Sequence, residues 1–265
     1  MFKKYLIVAS KLDKAGINIT TQLSQFGNFD FYFVDNEIVY TENINLEKIN
    51  QYDFIIFASK HQSEKKEKTL SVHAVGNWRN AEFGGQNEKI CRTSAFFQKQ
   101  IFEKLQANMD LYSLDDYKAT LEATHHGPLI DKPCIFIEIG STETEWSNRT
   151  AAFIVAKTIS EAINDFKENP YNEVAIAIGG PHYCPNFNKI QLESNVAISY
   201  VIPQYALPLK EEMIKEAVEK TEEEIDFALL DWKGLGSSEQ RQQVLKILDK
   251  FYIRYKRTSD VNKEY

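Results

Sequence analysis

The chain has 265 residues, of which 43% are hydrophobic and 26% charged, and it carries a formal net charge of −7. Such proportions suit a globular protein able to bury a full core, and the negative charge excludes a generic nucleic-acid coat. No apolar stretch is long enough to cross a bilayer; the start, Met1 to Ser10, has too short an apolar part for a signal peptide and runs into Lys11, Asp13 and Lys14, so it reads as a first strand.

In chain order, Tyr5 to Ala9 predicts a strand and about Lys14 to Phe26 a helix. Phe29–Val34 and Ile38–Tyr40 read as strands around a turn at Asp35-Asn36. Asp53 to Ala58 is a near-continuous apolar run, the pattern of a strand covered on both faces. Ser94 to Met109 places Phe96, Phe97, Ile101 and Leu105 at helical spacing. Pro133 to Ile139 is another buried strand, followed by a helix from Trp146 to Ile163. Val174–Ile178 and Ala197–Ile202 are two more strands. Pro208 to Trp232 and Ser237 to Lys256 predict two closing helices, so the C-terminal helices span about 208–256. Strands alternating with helices predict an α/β fold: a single, mostly parallel, twisted sheet with helices on both faces, in one domain covering 1–265.

Ligands of such sheets bind outside the carboxyl ends of the strands. All five histidines fall in short polar clusters that read as loops, several of them just after an apolar run. Ser59-Lys60-His61 follows one strand, Gly140-Ser141-Thr142 a second, and Gly179-Gly180-Pro181-His182 a third. Thr124-His125-His126-Gly127-Pro128 precedes the second. The three strand ends should therefore line one cleft.

Glu138 interrupts the run Ile135 to Ile139. A carboxylate buried there must be paired, protonated or bound to a cation. It is a candidate metal ligand or general base, against the alternative of an ion pair with Arg79, Arg92 or Arg149. Together with His125, His126 and His182 it makes the ligand types that catalytic zinc uses with one position open; His126, Glu138 and His182 are the candidate ligands, with His125 and Glu138 candidates for catalysis. His73 and Asn77, four apart, can orient water or donate to an oxyanion, as can the amides of Gly179 and Gly180. Lys60, Lys65, Lys66 and Lys68 form a basic patch beside His61, suited to holding one polyanion at one place. The three cysteines are odd in number and far apart, which points to a reducing, cytoplasmic setting.

The motifs Lys60-His61-Gln62-Ser63, Val72-His73 with Gly76-Asn77, Thr124-His125-His126-Gly127-Pro128, Glu138-Ile139-Gly140-Ser141-Thr142-Glu143 with Trp146, and Gly179-Gly180-Pro181-His182-Tyr183 occur in this order. The combination resembles the D-aminoacyl-tRNA deacylases of the archaeal and plant type, from the first strand to Leu235. The resemblance implies a zinc-dependent esterase that removes D-amino acids mischarged onto tRNA, a translation quality-control activity. It also implies a fold similar to peptidyl-tRNA hydrolase and nucleoside phosphorylases. The family's motifs map onto His61, His73, Asn77, His125, His126, Glu138 and His182. Lys60, His61, Lys65, Lys66, Gly179 and Gly180 are then the candidate contacts to substrate and tRNA. The expected partner is the acceptor end of D-aminoacyl-tRNA, with neither DNA nor membrane, and the expected state a monomer. A phosphorylase-like or other small-molecule hydrolase, and a non-enzymatic zinc or RNA-binding module, are the alternatives.

Overall fold

The computed structural model describes residues 2–41 and 44–261. In chain order the first half runs β1 (Tyr5–Ser10), α1 (Lys14–Leu23), β2 (Asp30–Val34), α2 (Leu46–Ile49), β3 (Phe54–Gln62), β4 (Thr69–His73), α3 (Ala95–Leu111) and β5 (Lys118–Leu121). The second half runs β6 (Cys134–Ser141), α4 (Glu143–Trp146), α5 (Arg149–Asn164), β7 (Glu173–Ile178), α6 (Pro185–Glu193), β8 (Val196–Ile202), α7 (Glu211–Lys220), β9 (Phe227–Leu230), α8 (Ser238–Lys250) and β10 (Arg254–Arg257). The long helices begin where local chemistry allows. Ser94, Asn148 and Ser237 each accept a backbone N–H at the start of α3, α5 and α8, satisfying donors the helix itself leaves free.

The α/β class and the mostly parallel pairing are as predicted. The single sheet is not. The strands form a six-stranded sheet in the order β2-β1-β3-β6-β4-β5 and a four-stranded sheet in the order β10-β9-β7-β8. In the larger sheet only β4 against β6 is antiparallel; the smaller sheet is parallel throughout. The two meet along a short seam instead of a ladder. There Ala123 N–H donates to the His182 carbonyl at 2.8 Å, and Thr124 N–H to the Val201 carbonyl at 3.1 Å. Ile178 thus belongs to a different sheet from Ala58 and Ile139, yet the seam carries its loop to them.

Other corrections share one cause: a neighbouring strand decides whether a polar or short segment extends. β3 runs past Ala58 through Gln62 because β6 continues beside it, pairing Ser59 with Glu138 and His61 with Gly140. Val72-His73 is a strand end for the same reason, with His73 opposite Phe136. Thus His61 and His73 lie in strands and not in loops. Ile38–Tyr40 has no strand partner and forms a 3-10 turn. Phe227–Leu230 is fully buried between β7 and β10, so the expected helix from Pro208 to Trp232 stops at Lys220, and the one from Ser237 stops at Lys250.

Registered residues of adjacent strands point to the same face, and side chains alternate along each strand. Ser59 and His61 of β3, Phe136, Glu138 and Gly140 of β6, and Ser71 and His73 of β4 therefore share one face. The stack of Phe57 on Phe136, with ring centres 4.7 Å apart, floors that face with apolar surface. The His73 ring stacks on Phe136 at 5.2 Å and the His126 ring meets it edge-on at 4.7 Å.

Candidate active site

A cavity of about 840 Å³ opens above this face. Its floor includes His61, His125, His126, Glu138 and His182. The five histidines come from β3, β4, the loop after β5 and the loop after β7, and they gather as expected. His73 and His125 ring centres are 4.4 Å apart, His125 and His126 4.2 Å, and His125 and His182 4.6 Å.

Three of these rings are oriented by the backbone. Nδ1 of His73 lies 3.0 Å from the Ala74 carbonyl, Nδ1 of His125 2.7 Å from the Ala123 carbonyl, and Nδ1 of His126 2.7 Å from the Gly127 carbonyl. A carbonyl can only accept, so each Nδ1 carries the proton and each Nε2 keeps its lone pair when the ring is neutral. His73, His125 and His126 each offer a ligand atom within 4.8 Å of the others. His73 Nε2 is buried with no hydrogen-bond partner. Burial and the neighbouring His126 and His73 hold His125 well below the usual imidazole range. Burial and His73 bring His126 down to about 4. Those two rings are neutral bases, the form that binds metal.

Beside this trio is an acidic pair that sequence reasoning only half found. Glu138 faces His61 Nδ1 at 3.6 Å and His73 Nε2 at 3.7 Å. Its partners are therefore imidazoles and not Arg79, Arg92 or Arg149; Arg79 donates to the carbonyls of Ala206 and Pro208, and Arg92 pairs with Glu222. The missed residue is Glu122, just past the end of β5. Its carboxylate is fully buried, with Oε2 2.9 Å from His182 Nε2 and Oε1 3.2 Å from His61 Nδ1. The available signal was a lone carboxylate directly after a short apolar run, three residues before His125. β5 itself is only four residues long, too short to stand out as a strand.

Burial alone would lower the His61 pKa, but Glu122 and Glu138 outweigh it and push it up to about 10. In return, and against burial, His61 and His182 hold Glu122 well below the usual carboxylate range. His73 is raised against its burial by Glu138. Tyr183 Oη lies 2.8 Å from His61 Nε2, and Tyr205 Oη 3.1 Å from His182 Nδ1. Each outer imidazole is thus held at both nitrogens.

The remaining candidates divide. Lys60 and Lys66 line the cavity rim, and Lys65 Nζ lies 6.0 Å over the Tyr183 ring. Lys60 also pairs with Glu37 at 2.9 Å and sits over Trp146. Asn77 does not line the cavity. Its amide donates to the Gly84 carbonyl at 2.9 Å and so holds a neighbouring loop. Gly179 is also turned away, its N–H donating to the Ile202 carbonyl at 2.8 Å, which leaves none for an oxyanion. Gly180 packs on the Asp231 carboxylate, where an added Cβ would meet Oδ2 at 2.9 Å. Cys184 is buried, and its thiol donates to the His182 carbonyl at 3.2 Å, so it supports that loop from beneath.

A sequence profile of D-aminoacyl-tRNA deacylases matches residues 48–256, which takes in every residue of this cluster. The chain belongs to the D-aminoacyl-tRNA deacylase family. Proteins of that name from Thermococcus onnurineus and Methanocaldococcus jannaschii are 34% and 32% identical to it. The first match covers 94% of this chain and 98% of the relative, the second 91% and 94%. The crystal structure of AF0625, a conserved protein of unknown function, superposes with a TM-score of 0.90 at 28% identity, covering 99% of this chain and 98% of that one. Membership makes the chain a hydrolase acting on carboxylic ester bonds, as the motifs predicted. No helix among the described residues is long and apolar enough to cross a membrane.

Proposed function

We propose that this chain hydrolyses the ester joining a D-amino acid to the 3′ end of tRNA, as tRNA quality control, with zinc held by His73, His125 and His126. The observation that carries the zinc reading is the trio of Nδ1–carbonyl contacts, which leaves each Nε2 free to ligate in three rings whose ligand atoms lie within 4.8 Å of one another, two of them, His125 and His126, lining the cavity. That donor set fits a catalytic zinc: three imidazole nitrogens, each ring oriented by a hydrogen bond at its other nitrogen. His73 Nε2 supports the fit: it is buried without a hydrogen bond, its neighbouring carboxylate Glu138 being 3.7 Å away. The expected set of His126, Glu138 and His182 is thereby regrouped, because His182 is engaged by Glu122 and Tyr205.

Zinc held there supplies Lewis acidity, which makes water a nucleophile near neutral pH and polarises the ester carbonyl. Glu138 lines the cavity and is the carboxylate placed to accept the proton of the attacking water. His61, cationic between Glu122 and Glu138, offsets one of the two carboxylate charges while Glu138 gains and loses that proton. Glu122 and Tyr205 orient His182, whose ring lines the same cavity. Lys60 and Lys66 at the rim suit the phosphates of the acceptor end. Three buried free thiols agree with a reducing, cytoplasmic setting.

The test is release of D-tyrosine and of L-tyrosine from charged tRNA, with and without a chelator. The reading expects D-tyrosine release that the chelator abolishes and zinc restores. Equal release of both hands, or activity indifferent to metal, overturns it.

A further inference from the structure

Two aromatic rings at the cavity rim take no part in the chemistry above. Phe83 is 58% exposed and Tyr40 47% exposed, and both line the cavity. They come from segments far apart in sequence that are locked together. Gly84 holds φ at +71°, and a Cβ added there would meet the Val39 carbonyl oxygen at 1.7 Å and Tyr40 Cα at 3.3 Å. Only glycine allows that approach. Asn77 ties the same loop down through the Gly84 carbonyl. The Phe83 carbonyl accepts the Gly127 N–H at 2.9 Å, fixing the loop beside His126. Two open rings are therefore held on a rigid support next to the metal-ligand candidates. Exposed apolar surface at such a place marks a binding function.

We infer that Phe83 and Tyr40 form a stacking platform for a base of the unpaired 3′ end of tRNA, an inference that rests on the function proposed above. Three observations favour a base over the amino-acid side chain. The rings are half open to solvent, whereas walls that sort the hand of an amino acid must enclose it. Lys60 and Lys66 line the same rim, so a backbone phosphate and a stacked base can be held together. The cavity, at about 840 Å³, has room well beyond a single amino acid. Stacking tolerates any base and gives a handle on the part every aminoacyl-tRNA shares.

The test compares wild type with Phe83→Ala, Tyr40→Ala and Phe83→Trp on D-tyrosyl-tRNA, D-alanyl-tRNA and D-tyrosine methyl ester. Loss of one ring should raise KM about 5- to 150-fold for both charged tRNAs. It should leave hydrolysis of the methyl ester within about twofold, while Phe83→Trp keeps wild-type KM or lowers it. An unchanged KM for charged tRNA in both alanine variants overturns the inference. So does an equal loss on the methyl ester, or a loss for D-tyrosyl-tRNA that D-alanyl-tRNA does not share, which would mark an amino-acid pocket instead. Should an alanine variant melt early, the Phe83→Trp comparison decides alone, and a KM raised tenfold by the larger ring sinks the platform. A wild type inert on both charged tRNAs refutes the proposed function, and the inference with it.

Discussion

His182 Nε2 and Glu122 Oε2 lie 2.9 Å apart across the seam between the two sheets. The second Glu122 oxygen faces His61 Nδ1 at 3.2 Å. One buried carboxylate thus joins a loop of the small sheet to a strand of the large one. Replacing Glu122 by Ala should leave the His61 charge uncompensated on that side, and breaking a buried pair in this way costs about 3–5 kcal/mol. Thermal and urea unfolding of Glu122→Ala should show that loss. Glu122→Gln keeps the shape and should fold, with activity reduced because His182 and His61 lose the carboxylate that orients them. Wild-type stability in Glu122→Ala would show that the junction is dispensable.

The division of labour among the imidazoles gives a second expectation. His73→Ala, His125→Ala and His126→Ala should each lose bound zinc, measured by elemental analysis, together with activity. Glu138→Gln should keep its zinc and still lose activity, because it removes only the proton acceptor. His182→Ala should retain most of its zinc. If Glu138→Gln is purified metal-free while His73→Ala is metal-loaded, the assignment is reversed, and the carboxylate is the ligand.

Much of this site is legible in the amino-acid sequence. The five histidines and Glu138 stand out because a titratable side chain in an apolar run, or in a Gly/Pro loop after one, needs a reason to be there. Their gathering at one place follows from the rule for strand ends. Partnership is not legible. Nothing in Leu121-Glu122-Ala123 shows that Glu122 faces three imidazoles, those of His61, His125 and His182, because the fold brings them together from separate elements. Asn77 and Gly179 suit the chemistry by residue type, but their hydrogen-bonding groups are spent on Gly84 and Ile202. The split into two sheets is hidden for the same reason, since apolar runs report burial and not which strand lies alongside.

The charge state of His61 predicts how the metal-free protein responds to pH. Its folded pKa, about 10, lies above the ordinary imidazole value of 6.5. The folded state therefore binds the proton more tightly than the unfolded chain. The stabilisation is fully present below about pH 6.5 and is lost as pH rises toward 10, with a slope of at most ~1.4 kcal/mol per pH unit. Glu122 acts in the opposite sense: its lowered pKa stabilises above the ordinary carboxylate range and is lost as pH falls through it. His125 and His126, held below the ordinary imidazole value, also cost stability as pH falls below about 6.5, so chelator-treated protein should be most stable near about pH 6.5. Urea unfolding across pH 5 to 10 checks this, with His61→Gln as the control that should show a shallower alkaline slope, the remainder coming from His73. A flat profile between pH 6.5 and 10 in the wild type would mean that His61 is neutral in the folded state.

The lysines beside the cavity, set among Glu37, Glu64 and Glu143, yield the last prediction. An acidic protein can hold tRNA only through a local patch, and Lys60 and Lys66 line the mouth of the cavity with Lys65 beside Tyr183. Lys60 is already tied to Glu37, whereas Lys65 and Lys66 are the freer lysines to meet a phosphate. Reversing both to Glu should raise KM for D-aminoacyl-tRNA with little change in kcat, because groups that hold phosphates position the substrate and do not touch the scissile bond. The double variant should also show a flatter dependence of tRNA affinity on salt, by roughly 0.7 to 0.9 in the log–log slope for each phosphate no longer neutralised. Hydrolysis of a D-amino acid methyl ester should be unaffected, since it offers no phosphate. Should KM and salt slope both stay at wild-type values, the acceptor end crosses the protein elsewhere, and the exposed Arg254 and Arg257 of β10 become the surface to test.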